Sequence, residues 1–171
     1  ASQSASLNPT STCEPASTVN PHDYDVAAEK AAVVDGEFSA THWRLKLDDE
    51  WTVPAVELVR GEPKGTTIVI ADGGRASVAS EIQDLLARDQ RVIAVDLFYF
   101  GESRITKRDY LFALLVAATG ERPLGVQSSQ LAAIARWAGK YDRKAKVTVS
   151  AVGPRSGVIA LVAANLDARA I

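Results

Sequence analysis

A chain of 171 residues, 47% hydrophobic and 23% charged, has the length and apolar content of one globular domain with a sizeable core and is short for two. Its net charge of -2, with Lys and Arg interspersed among Asp and Glu, offers no basic face for nucleic acid, and no apolar run approaches the ~20 residues that cross a bilayer. Cys13 is the single cysteine, which excludes an intramolecular disulfide and leaves a zinc site short of ligands, so neither a metal nor a cofactor is expected.

In chain order, residues 1–22 are rich in Ser, Thr, Pro, Asn and Ala without apolar periodicity and read as a disordered or extended lead-in. The small, polar stretch Ala1–Val19 is of the kind that follows a removed signal peptide, so a secreted or periplasmic location is expected. The domain itself is expected over 23–171. Trp43, Leu45 and Leu47 alternate with polar residues, as do Val56 and Leu58 before Gly61. With Asp48, Asp49 and Glu50 between them, these two runs predict a β-hairpin.

The pattern then turns to continuous apolar runs, each followed by a segment of helical period, which is the signature of buried parallel strands with crossover helices. The first strand is Thr66–Ala71, ending at Gly73-Gly74, and its helix carries Val78, Ile82, Leu85 and Leu86 on one face. Arg91–Leu97 is the next strand, followed by a long polar and aromatic turn from Phe98 to Arg108 and a short apolar helix over Leu111–Ala118. A second amphipathic helix spans Val126–Gly139, with Leu131, Ile134, Ala135 and Ala138 inward and Gly139 placed to stop it. Lys146–Val152 is a third buried strand, leading through Gly153-Pro154-Arg155-Ser156-Gly157 into a helix over Val158–Leu166. The given chain reaches Ala170-Ile171 where a further strand would begin. The expectation is a sheet truncated after that helix, whose open edge would promote self-association.

These pieces, in this order, resemble the α/β-hydrolase superfamily, and more narrowly its acetyl-xylan-esterase and dienelactone-hydrolase-like branches. Gly73 and Gly74 look like the oxyanion loop. Asp96 to Ser103 is similar to the family's D-x-x-G-x-G-x-S turn, with Tyr99 at the first glycine position. Asp109–Trp137 is similar to the stretch in which these esterases carry a GRPLLGQ run into a helix. Gly153–Gly157, with ALVAANLDAR in the helix after it, resembles the nucleophile elbow and its helix. The resemblance covers about residues 40 to 171. It implies a mostly parallel, doubly wound α/β sheet and a small ester or carbohydrate substrate.

The elbow departs from the family pattern. With its glycines in register, Gly153 and Gly157 flank Arg155, so the nucleophile position holds a residue that cannot attack an ester. Ser156 is the remaining candidate, flanked by Pro154 and Val158 where the turn needs small residues. Its alternative role is to cap the following helix. After Ser156 the given chain holds one carboxylate, Asp167, and no histidine, while His22 and His42 lie upstream. Asp72, Asp96 and Asp109 could be read as catalytic carboxylates, but strand-end aspartates more commonly satisfy turn and helix N-terminal amides. Trp43, Trp51 and Trp137 read as packing residues before a carbohydrate platform. The expectation is an esterase-like protein that is inactive as given.

Two other readings compete. TTIVIADGGRASVASEIQDLLARDQRVIAVD runs strand, glycine turn, helix and strand to Asp96 as a nucleotide-binding Rossmann unit would, although Ala76, Ser77 and Val78 stand where further glycines would be needed. A non-catalytic, carbohydrate-associated binding module would suit the altered elbow and the polar lead-in.

Overall fold

The computed structural model of the chain describes residues 22–107, 109–140 and 147–171. All of the expected lead-in but His22 lies outside the described residues, as do Cys13, Arg108 and Lys146. The architecture is a mixed, open sheet of six strands in the order β1-β2-β3-β5-β4-β6, formed by Val26–Asp35, Ser39–Leu47, Trp51–Val59, Gly65–Ala71 (β4), Gln90–Val95 (β5) and Thr148–Val152 (β6). The helices are α1 (Ala79–Ala87), α2 (Asp109–Ala118), α3 (Pro123–Gly139) and α4 (Pro154–Leu166).

The expected hairpin is present, with β2 and β3 antiparallel from Ser39↔Val59 to Leu47↔Trp51. A further strand precedes it. β1 pairs antiparallel with β2 along its length and carries a bulge between Lys30 and Ala32. Its VAAEKAAVVD run has no period-two alternation, because β1 is a largely exposed edge strand whose conformation is set by pairing and not by burying a face. β3 joins β5 antiparallel, whereas β4 pairs parallel with both β5 and β6, so the sheet is parallel in the half that matters below.

The continuous apolar runs of β4 and β5 are explained by burial on both faces. Ile68, Ile70, Ile93 and Val95 point to a core shared with Leu131 and Ile134 of α3 and Ile159 of α4. Val69, Ala71, Val92 and Ala94 point to the opposite layer, where Val78 and Leu86 pack. Helices therefore cover both faces. Leu131 and Ile134 are fully buried, each worth roughly 2 kcal/mol of transfer free energy. Helix α3 begins three residues earlier than its apolar period, because Pro123 pre-sets the first turn. Trp43 and Trp137 pack edge to face, 5.7 Å between centroids and 75° between planes, tying the hairpin to α3. Among the described residues no helix is long and apolar enough to cross a membrane.

Candidate functional site

Strands β4 and β6 lie side by side, in register to Ala71↔Val152, and their connections leave on opposite faces of the sheet. This is a topological switch point, the place where open α/β sheets leave a crevice at the strand ends. Asp72 follows β4 and Gly153 follows β6, and the Asp72 N–H donates to the Val152 carbonyl at 2.9 Å. The chain then turns abruptly into α4 through Gly153, at φ +109°, with Pro154 opening the helix. A Cβ at Gly153 would stand 2.5 Å from the Asp72 carboxyl carbon, so the position requires glycine for space as well as for its backbone angle.

The Asp72 carboxylate fills the crevice. It accepts the Arg155 N–H at 3.2 Å, the Ser156 N–H at 2.7 Å and the Ser156 hydroxyl at 2.8 Å. The unpaired amides of a helix N-terminus attract an anion, and here the chain supplies its own. Desolvation works to raise the Asp72 carboxyl, but the Ser156 N–H and hydroxyl and the Arg155 N–H and charge outweigh it and hold it below the usual carboxylate range.

The elbow candidates sit around this carboxylate. Ser156 is completely buried in the first turn of α4, and its hydroxyl reaches Asp72 instead of a backbone amide of its own helix, so the capping group is the aspartate. Arg155 is exposed beside it and has ordinary negative φ, with its guanidinium 4.7 Å from the centre of the Phe100 ring. The positive-φ residue of the junction is Gly153, and Gly157 lies within α4.

Gly73 and Gly74 lie in the loop after β4, and the Gly74 N–H donates to the Ala71 carbonyl at 2.9 Å. The loop is pinned by Asp96, which accepts the Arg75 N–H at 2.7 Å and the Glu102 N–H at 3.0 Å and pairs with the Arg75 guanidinium. Asp96 is buried against Gly101, where a Cβ would fall 2.2 Å from its carboxyl carbon. The D-x-x-G-x-G-x-S turn is thus built with its aspartate as the hub. Tyr99, at the first glycine position, takes φ +67°, the backbone conformation for which glycine is favoured. The acid that the nucleotide reading would place on a ribose is committed to this turn.

The other titratable candidates lie elsewhere. His22 bonds Glu121 at 3.0 Å and stacks on Tyr24. His42 is on β2, four strands from β6 and so roughly 19 Å away across the sheet. Asp167 lies past the far end of α4, about 16 Å from Ser156 by helical rise, and receives Arg136 at 3.0 Å together with the Arg169 and Ala170 amides. Asp109 begins α2.

Beside the β6–α4 junction opens a cavity of about 610 Å³, walled mainly by Phe98, Tyr99, Phe112, Val116, Leu124 and Val158, with Arg155 and Gln127 as polar members. Its size falls in the range of small-molecule sites. Phe98 forms the back of this wall because two glutamines of α3 clamp its backbone. Gln130 accepts the Phe98 N–H at 2.8 Å, and Gln127 donates to the Phe98 carbonyl at 2.9 Å. Tyr99 stacks on Phe112 with 10° between the planes. The sequence reading missed this cavity, whose one available signal was the aromatic triplet FYF immediately after a strand.

Solved structures of the same fold are α/β-hydrolases. A Bacteroides fragilis protein assigned as an acetyl xylan esterase aligns with 79% of this chain and 44% of its own, with a TM-score of 0.65 and 14% identity. Acetyl xylan esterase 1 from a Thermoanaerobacterium species aligns with 85% of this chain and 50% of its own, with a TM-score of 0.64 and 13% identity. Dienelactone hydrolase from Anabaena variabilis aligns with 87% of this chain and 61% of its own, with a TM-score of 0.51 and 16% identity. No protein-family model matches the chain, and no curated protein matches it at the sequence level. The chain has the α/β-hydrolase fold, and it spans about half the length of these solved structures.

Proposed function

We propose that the chain is part of an esterase-like protein that receives a small acyl or carbohydrate ester beside the β6–α4 junction, and that serine hydrolysis is not carried out by this elbow. The observation that carries the reading is Ser156: it is 0% exposed, and its hydroxyl is donated to a carboxylate held below the usual carboxylate range. A serine nucleophile needs exposure and a general base to take its proton, and an ionised carboxylate that already accepts two backbone amides is a weak base. The Arg155 side chain offers no nucleophile at neutral pH. The esterase character is supported by the fold and by neighbours named as acetyl xylan esterases.

The reading is tested with p-nitrophenyl acetate and acetylated xylan. Release at the buffer rate, unchanged by Ser156→Ala, is expected. Turnover that disappears in Ser156→Ala would overturn it. We further propose export, which the polar Ala1–Val19 run supports, and pairing of copies through the open sheet edge, which the place of β6 at that edge supports. Sedimentation of the chain over a concentration series tests the latter.

A further inference from the structure

We infer that the cavity beside the β6–α4 junction is a binding site for a monoanionic carboxylate with an apolar body, Arg155 being the anchor for the acid group. The inference rests on the reading that this site binds without serine chemistry, and it goes beyond the ester of that reading to a free acid as a ligand of the same cavity.

The cavity wall is aromatic and aliphatic, with Phe98, Phe112, Val116, Leu124 and Val158 offering no charge. Gln127 is committed through its amide N–H to the Phe98 carbonyl. Among the described residues Arg155 is the one cation on the wall. None of the ion pairs among the described residues includes it. Its guanidinium instead lies over the Phe100 ring, which holds a planar cation in place while leaving its N–H edge available for hydrogen bonds.

The neighbouring Asp72 does not cancel this charge. Its carboxylate is taken by the N-terminal amides of α4 and the Ser156 hydroxyl, so its own compensation comes largely from the helix. With one guanidinium among the lining residues, the charge the site matches is a single negative one, which a carboxylate supplies to the fork of Arg155. The apolar body is required by the wall. An amphiphilic carboxylate matches a wall whose lining, among the described residues, is apolar but for Arg155 and Gln127.

The test uses the 171-residue chain with decanoate and its neutral counterpart decanol as probes, titrated calorimetrically. Decanoate is expected to bind about tenfold more tightly than decanol, the discrimination of one charge-assisted contact. Arg155→Gln brings the two affinities together, and Val158→Trp, which fills the cavity from the surface of α4, weakens both. Equal binding of the two probes by the unaltered chain, an Arg155→Gln variant that keeps the preference, or a Val158→Trp variant that binds both unchanged would each overturn the assignment. Serine-dependent release from p-nitrophenyl decanoate in the same samples would defeat the non-hydrolytic reading alone, since the preference for acid over alcohol is measured separately.

Discussion

Asp72, just past the end of β4, and Ser156, in the first turn of the helix that follows the neighbouring parallel strand β6, are joined twice: the Ser156 N–H and hydroxyl both donate to Asp72 Oδ1, at 2.7 and 2.8 Å. The pair closes the switch-point crevice from within. Gly153 permits it, since any side chain there would collide with Asp72. A helix start that would otherwise attract an external anion is completed by the chain, and the ligand-sized space lies to one side, under Arg155 and the aromatic wall.

Removing the Asp72 carboxylate should therefore destabilise the fold as loss of a helix cap does. Asp72→Ala is expected to lower unfolding free energy by about 1–2 kcal/mol in urea denaturation, and Asp72→Asn, which keeps one carbonyl oxygen, by less. No loss in Asp72→Ala would mean that the bridge contributes nothing to stability.

The same bridge gives a pH dependence. Desolvation opposes the shift, yet Asp72 is held low by Ser156 and Arg155, and Asp167 is held low by Arg136 and the Ala170 and Arg169 amides. A lowered native value means that the unfolded chain takes up the proton first as pH falls. The stabilisation is present above the ordinary carboxylate value of 3.8 and is lost as pH drops through the lower native values. Thermal unfolding followed from pH 6 to about 2 should show this decline, and Asp72→Asn and Asp167→Asn should each flatten it.

Tyr99 offers a clean measure of backbone strain. At φ +67°, Tyr99→Gly and Tyr99→Ala lose the same stacking on Phe112 but differ in backbone freedom, so the Gly variant should be more stable by about 1 kcal/mol. Chemical denaturation of the two variants side by side checks this. Equal stability would mean that the turn is not held in the left-handed region in solution.

Gln130→Leu removes the acceptor of the buried Phe98 N–H and is expected to cost about 2 kcal/mol, more than its apolar gain returns. Because Phe98 backs the cavity, decanoate affinity should fall with it. A variant of full stability and affinity would show that the clamp is not needed to hold the wall.

Much of this was readable from residue order. The continuous runs TTIVIA and RVIAV are those of strands buried on both faces, and Leu131, Ile134, Ala135 and Ala138 mark the inward side of α3. β1 was not legible, because an exposed edge strand has no face to pattern. The Asp72–Ser156 bridge spans 84 positions of sequence and arises from strand order, which local periodicity does not encode. The cavity escaped for the same reason: its wall is assembled from the turn after β5 and from three helices. The residues of the β6–α4 junction, Gly153, Pro154, Arg155 and Ser156, were readable as a strand-to-helix turn, but the partner that Ser156 meets there was not.

The most direct test of the central claim is to incubate the chain with a serine-directed fluorophosphonate and map adducts by mass spectrometry. The expected result is an unmodified peptide carrying Ser156, its hydroxyl buried on Asp72. A stoichiometric phosphonyl adduct on Ser156 would contradict the account, placing a reactive nucleophile where a structural bridge is described.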